Sequence, residues 1–346
     1  MLNAPEVENL GAARAGDREA FASLTEPHRR ELLVHCYRML GSLQDAEDLV
    51  QETLLRAWRR LETFQRNTSF RAWLYKIATN ACLDALDKRP RRVLPPVIYQ
   101  ASDPQVMFEP PVTEPIWLEP IPDELLAEPA ASLEARYSEA ESVTLAFLVA
   151  LQILPPRQRA VLIMHDVLDF SAKEVAESLA LTVAAANSAL HRARVSLASQ
   201  YQAGRTSTSA MRPADESLRG LLDQYVRAWE AADVGQLVDL LRQDAVLSMP
   251  PSPSWYRGRD AIGAFMAARP FSGDGRGRWR LQPGRANSQP AFDLYRRVAP
   301  ADRYDRVGLQ VLTVAGDQIA EVALFLRPAF FTPFGFSSTS PQAAPR

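Results

Sequence analysis

Cysteine is scarce in this chain of 346 residues: there are two, Cys36 and Cys82, with no CxxC spacing. Two thiols cannot build a structural zinc site by themselves. Both read as buried free thiols in a reducing compartment, and no metal or cofactor is expected. Long apolar runs are missing as well; none reaches the roughly 18 residues that a membrane-spanning helix needs. The opening stretch MLNAPEVENLGAARAGDREAF lacks the charged-then-apolar layout of a signal peptide. A cytoplasmic protein with no membrane partner is the expectation. Histidine is almost as rare: the four are His28, His35, His165 and His191. The chain after His191 thus lacks the commonest general base. What is present, 47% hydrophobic and 23% charged residues, is ordinary for a soluble protein with a core. The length calls for two or three domains.

The net charge of −2 hides a division. Counting Lys and Arg against Asp and Glu, residues 1–92 carry 15 against 13 and residues 93–142 carry 1 against 10. Residues 143–212 carry 7 against 4, and residues 213–346 carry 16 against 14. Two mildly basic blocks are separated by a strongly acidic one, a pattern that suits a polyanion binder.

Hydrophobic periodicity predicts helices through residues 18–88. Leu32, Leu33, Cys36, Tyr37 and Leu40 form one stripe closed by Gly41, and Ser42 with its following acids opens the next helix. A third, FRAWLYKIATNACLDALDKR, stops at Pro90 after a basic tip. Residues 93–135 are dense in proline and acid and read as an extended linker. Within it, Ile116, Trp117 and Leu118 are costly to leave in water, so IWLEPIPDELL is expected to dock. Helical pattern resumes at Ser132 and runs to Ser199, broken at ILPPRQR; a polar second linker follows. From Leu218 come two helices, a short helix in GRDAIGAFMAARP, and alternating strands with a hairpin turn at AGDQ. The resulting plan is two all-α domains, 1–92 and 136–202, joined by the linker 93–135. A second linker at 203–216 leads to an α+β domain over 217–330 and a loose tail, 331–346.

The stretch SAKEVAESLALTVAAANSALHRARVSL meets the requirements of a helix-turn-helix. Ser171 and Thr182 cap its two helices, Val175, Leu179 and Leu181 are inward, and Ala176 permits a close crossing. Ala186, Ala189, Leu190, Ala193 and Leu197 form the inner face of the second helix. Its outer face and start present Thr182, Val183, Ala184, Ala185, Asn187, Ser188, His191, Arg192 and Arg194. Small residues let the backbone approach a major groove, and Asn, Ser and Arg meet base edges or phosphates. A helical hairpin with a solvated polar face is the bland alternative.

Two blocks in order, DAEDLVQETLLRAW with FRAWLYKIATNACLDALDKR, then LPPRQRAVLIMHDVLDFSAKEVAESLALTVAAANSALHRAR, make the chain resemble extracytoplasmic-function sigma factors. These are promoter-recognition subunits of bacterial RNA polymerase. Ala186 departs from the larger aliphatic usual in such recognition helices. The resemblance implies that the helix-turn-helix reads the −35 element. It also implies that Asp45, Asp48, Gln51, Glu52 and Arg56 face the clamp helices of the largest polymerase subunit, with the flap as a further contact. The −10 element falls to Arg66, Asn67, Phe70, Arg71, Trp73, Lys76, Asn80, Lys88 and Arg89. Their mixture of aromatics and cations suits capture of a single strand, with Asn80 foremost as a base reader. Packing alone would also account for Trp73. The acidic linker is implied to thread the polymerase cleft, and Trp117, Leu118 and Pro120 are its regulatory candidates.

Residues 213–346 are an addition to this plan. Their two helices, MPPSPSWYRGRDAIGAF and four strands resemble a SnoaL-like cone fold. With IWLEPIPD, that resembles the SigG- or SigJ-like sigma factors, whose fused domain is implied to regulate. The added domain is expected to pack on the promoter-binding domains through IWLEPIPD. A small ligand is allowed in the cone, lined by Tyr225, Trp229, Met249, Trp255, Tyr256, Phe265 and Phe325. No enzyme is expected, because the domain lacks histidine and alternation alone cannot place Asp244 or Asp293 inside. The alternatives are a cone-fold isomerase or cyclase carrying DNA-binding modules, and a simple repressor, which leaves the first block without a role.

Overall fold

The computed structural model describes residues 4–65, 69–88, 91–107, 109, 112, 117–126, 142–202, 215–273, 275–298 and 303–326. The chain divides into two compact units, one of residues 1–92 and 124–206, the other of 93–123 and 207–346.

The first unit is helical. It contains α1 (Ala4–Arg14), α2 (Arg18–Leu40), α3 (Leu43–Arg59), α4 (Phe70–Leu86), α5 (Leu145–Ile153), α6 (Pro156–Leu162), α7 (Ala172–Ser178) and α8 (Val183–Gln202). A π turn at Ile163–Val167 extends α6. Local chemistry sets the ends. Ser42 Oγ accepts the Asp45 amide at 3.1 Å, and Gly41 closes α2 at φ 70°. Ser171 and Glu174 form a reciprocal capping box on α7, and Thr182 Oγ1 accepts the Ala185 amide at 3.1 Å on α8.

The two helical blocks pack on each other, α5 and α6 against α2, and α6 and α7 against α4. Arg159 of α6 is fully buried there and donates to the Met39 carbonyl, to Gln152 Oε1 at 2.6 Å, and to the carbonyls of Gln152 and Leu154 at 3.0 and 3.2 Å. Burial pulls its guanidinium down to about 9, with Arg91 adding repulsion. Arg38 donates to Ser142 Oγ at 2.6 Å. His35 meets Thr79 Oγ1 at 2.9 Å, and burial pushes its pKa down to about 3, so the ring is a neutral core group. Cys36 and Cys82 are buried free thiols.

In the second unit α9 (Asp215–Ala231), α10 (Val234–Asp239) and α11 (Arg259–Ala268) lie with a six-stranded sheet. Its strands are β1 (Leu241–Ser248), β2 (Trp255–Arg257), β3 (Trp279–Ala286), β4 (Gln289–Val298), β5 (Arg303–Ala315) and β6 (Gln318–Phe325), in the order β2-β1-β6-β5-β4-β3. All neighbours are antiparallel except β1 and β6, which run parallel because the β3-to-β6 hairpins return the chain beside β1. Tyr225, Trp229, Tyr256, Phe265, Phe292 and Leu312 belong to one buried cluster.

Glu321 of β6 lies opposite Val246 and Thr313, and burial raises its carboxyl to about 7. A folded value above the unfolded one means the fold accommodates the neutral acid. Stability is therefore undiminished below about pH 4 and is eroded as pH rises towards 7. Glu321→Gln should stabilise the protein by about 2 kcal/mol at pH 8 and change little at pH 4, as read by urea unfolding at both values. An equal shift at both pH values would contradict this.

Candidate nucleic-acid interface

On α8 the 3.6-residue period separates two faces. Ala186, Ala189, Leu190, Ala193 and Leu197 are buried. Thr182, Val183, Ala184, Ala185, Asn187, Ser188, His191, Arg192 and Arg194 are exposed. Leu181 is half-buried rather than inside. Arg194 is already engaged, gripping Asp166 at 2.6 and 2.9 Å. Burial opposes ionisation of Asp166, but the hydrogen bonds from Arg194 and His165 prevail and hold its carboxyl below the usual range. Val195 is 56% exposed on the same helix and was missed by the sequence reading. A lone Val among polar neighbours, off the inner stripe, was the available signal.

On α4 the candidate strand-reading residues divide by burial. Phe70 is buried, its ring 5.3 Å from Phe64 and 5.6 Å from Trp73. Arg71 pairs with Glu31 at 2.8 Å and lies over the rings of Tyr75 and Phe170. Trp73 and Asn80 are half-buried, and Lys76 and Lys88 are exposed. Arg66, Asn67 and Arg89 lie outside the described residues. Trp73, Lys76 and Asn80 line a cavity of about 760 Å³ together with Arg56 and Arg60 of the α3 end. Its opposite wall is α7, through Lys173, Glu174, Glu177 and Ser178. Asn80 Nδ2 donates to the Ser178 carbonyl at 3.2 Å and to its own helix at the Lys76 carbonyl, 2.7 Å. The foremost base-reading candidate is thus bonded to the first helix of the helix-turn-helix.

On α3, Asp48 and Gln51 are exposed, whereas Asp45 and Glu52 are held in ion pairs. Asp45 pairs with Arg92 at 2.9 Å; Glu52 pairs with Arg56 at 2.7 Å, which also reaches Asp84 at 3.0 Å. Glu52 and Asp84 together raise the Arg56 pKa. Leu55, 44% exposed, shares this face with Asp48 and Gln51 and was not singled out from sequence. An apolar side chain among exposed charges is the usual centre of a protein contact.

The acidic linker is seated on the α+β domain. Trp117 is 3% exposed, and Leu118, Pro120 and Ile121 are buried. The Leu118 amide donates to Val93, and Val93 bridges Trp117. Asn287 and Ser288, both at positive φ in the β3–β4 turn, form the seat. Asn287 Oδ1 accepts the Ile121 amide at 3.1 Å, and the Asn287 amide returns to Ile121 at 2.9 Å. Asp123 accepts from the Ser288 amide at 2.7 Å and from Arg285 at 2.8 Å. Further along, Trp255 Nε1 donates to Tyr99, Ser252 and Ser254 bond Glu109, and the Val112 amide reaches Pro251.

Inside the α+β domain, the Tyr225 hydroxyl donates to Gln310 Oε1 at 2.7 Å, and Trp229 Nε1, beside Tyr225, and Gln310 Nε2 are buried with no acceptor in hydrogen-bond geometry among the described residues. Asp244 is exposed and paired with Arg242. Asp293 is buried and held by Arg306; burial raises its carboxyl to about 6 against the pull of that cation. Its strand neighbours Phe292 and Leu294 belong to the core cluster, so Asp293 points to the other face of the sheet. Among the described residues no helix is long and apolar enough to cross a membrane, and no group of His, Cys, Asp and Glu could hold a metal ion.

Comparison with known proteins agrees with this layout. Family models match in order: Sigma-70 region 2 over residues 24–92, Sigma-70 region 4 over 144–197, and a SnoaL-like domain over 222–322. The ECF RNA polymerase sigma factor SigG of Mycobacterium tuberculosis (strain CDC 1551 / Oshkosh) is 44% identical over 333 residues, covering 95% of this chain and 87% of that protein. SigJ of M. tuberculosis (strain ATCC 25618 / H37Rv), also an ECF RNA polymerase sigma factor, is 30% identical over 249 residues, 70% of each chain. The crystal structure of the M. tuberculosis extracytoplasmic function sigma factor SigJ shares the fold, with a TM-score of 0.61 at 22% identity over 91% of this chain and all of that one. With both sigma-70 regions in order and a relative of 44% identity along nearly its whole length, the chain belongs to the ECF family of RNA polymerase sigma factors, which direct promoter recognition, and carries a fused SnoaL-like domain.

Proposed function

We propose that this sigma factor rests in a closed form, and that its SnoaL-like domain regulates it by holding the acidic linker. The observation that carries this reading is the seat of residues 93–123 on the fused domain, with Trp117 only 3% exposed. A linker that must thread the polymerase cleft has first to leave that seat, so the fused domain acts as a brake on polymerase engagement. At limiting polymerase, run-off transcription should rise with Trp117→Ala relative to the parent. Unchanged output would overturn the regulatory role of the linker.

Each surface takes one task in this reading. The outer face of α8 reads the −35 element, and α4 captures the −10 strand through Trp73, Lys76 and Asn80. Buried Phe70 and paired Arg71 shape that surface. Asp48, Gln51 and Leu55 meet the clamp helices, and the helix-turn-helix block meets the flap; the protein works in the cytoplasm. Asn80 is bonded to Ser178 in the closed form, so promoter melting requires α7 to leave α4. Asn80→Ala should lower run-off transcription by about tenfold or more without lowering polymerase affinity, the loss expected for one base contact. Equal loss of polymerase binding would contradict the assignment.

The fused domain regulates and does not catalyse. Its two acids with raised carboxyls, Asp293 and Glu321, lie beside core residues on their strands and so point away from the aromatic interior, and Asp293 is paired with Arg306. A small ligand entering that interior would meet the donors Trp229 Nε1 and Gln310 Nε2.

A further inference from the structure

The sequence between Arg276 and Arg306 holds eight arginines, no lysine and three aspartates. Sheet topology gathers seven of these arginines at one end. β3, β4 and β5 are adjacent, and β3 starts, β4 ends and β5 starts at the same side. Register puts Arg280 opposite Tyr295, Arg296 opposite Asp305 and Arg297 opposite Tyr304; the Arg297 amide bonds the Arg278 carbonyl at 2.8 Å. Side chains alternate along each strand, so this end carries cations on both faces: Arg296 and Arg303 on one, Arg280, Arg297 and Arg306 on the other. Arg276, Arg296, Arg297 and Arg303 are exposed. Asp293 pairs with Arg306 and Asp305 with Arg303, Arg278 donates to the Pro270 and Ser272 carbonyls, and Asp302 lies outside the described residues.

We propose that this arginine end of the SnoaL-like sheet binds the phosphate backbone of duplex DNA. Arginine forks match phosphate oxygens in pairs, and four exposed guanidinium groups at one end of a sheet suit a run of phosphates. Single strands need exposed aromatic rings on which bases stack. Here Tyr304 is buried beneath Arg280, whose guanidinium lies 4.1 Å from the ring centre, and Trp279 donates to the Pro270 carbonyl. The surface is built for charge along a rigid backbone and carries no base-reading element. It adds sequence-independent affinity to a chain that reads its promoter elsewhere.

The test uses the full-length protein without polymerase, so it is independent of how the linker regulates. Binding to a 30-base-pair duplex (about three helical turns) without promoter elements is followed by anisotropy between 50 and 200 mM salt. The probe is the duplex itself. Replacing two exposed residues, Arg276→Ser with Arg296→Ser, should make the slope of log affinity against log salt shallower by about 2 and lower affinity at low salt about tenfold. The paired Arg→Lys variant should keep the slope, and unfolding midpoints should match the parent. Unchanged slope and affinity in the serine variant would overturn the proposal. So would loss of core polymerase binding with duplex binding intact, which would mark the patch as a seat for an acidic protein surface.

Discussion

Truncating Arg159 to alanine should destabilise the helical unit by about 3–5 kcal/mol, among the largest single-residue effects expected in this protein. The side chain is fully buried and serves four acceptors: the carbonyls of Met39, Gln152 and Leu154 and the Gln152 side chain. Removing it leaves those oxygens without their donors in a place water does not reach, and opens a void the size of an arginine. Because Met39 ends α2 while Gln152 and Leu154 lie at the end of α5, the loss falls on the packing of the second helical block against the first. Arg159→Lys keeps a charge but offers one nitrogen for a fork, so an intermediate loss is expected. Urea unfolding of parent and variants measures this. A cost under about 1 kcal/mol for the alanine would mean the buried guanidinium contributes no net stability, as some buried charges do not.

Trp117→Ala should release the linker from its seat. Deleting a buried indole costs about 3–5 kcal/mol when the site collapses poorly. The loss is local, because residues 93–123 also join the α+β domain through hydrogen bonds at Tyr99, Glu109, Val112, Ile121 and Asp123 that do not involve the indole. Amide exchange at Leu118 and Ile121 should accelerate by about 10²–10³, with little change in the β4 and β5 amides. Protection that stays as in the parent would show that the Asn287 turn alone holds the segment. Asn287→Ala is the milder companion: it removes the acceptor of the Ile121 amide and should speed exchange by about tenfold.

Much of this was legible because it is local. Ser42, Ser171 and Thr182 each cap the helix their positions announce, and the buried alanines of α8 follow the 3.6-residue period without exception. The cost of leaving Trp117 and Leu118 in water predicts their burial, and both are buried. Their partner was not legible, because the seat is a β-turn 170 residues away (about the separation of Trp117 from Asn287) whose residues look like any Asn-Ser hairpin. Arg159 was invisible for the opposite reason. Arginine is a surface residue by composition, and only the convergence of α2, α5 and α6 gives it four acceptors. Long-range pairing also escaped the pattern: alternation predicts strands but not that β1 and β6 run side by side in parallel. The bond from Asn80 to Ser178 belongs to the same class. The two residues belong to separate blocks of the sequence, and their contact exists only because the blocks pack together. Leu55 and Val195 each stand off the buried stripe of their helix, a faint signal because one exposed apolar residue leaves the period intact.

The closed arrangement of α4 and α7 is the centre of the account, and a distance measured across their shared cavity tests it most directly. Lys76 and Lys173 line opposite walls of that cavity, and the native thiols are buried, so spin labels at Lys76→Cys and Lys173→Cys report the gap alone. In the free protein the labels should give one short, narrow distance. On adding core polymerase that population should give way to a much longer one, as α7 leaves the strand-reading face. A distance that stays short in a complex that initiates transcription would contradict the account, because promoter melting would then proceed with Asn80 still bonded to Ser178.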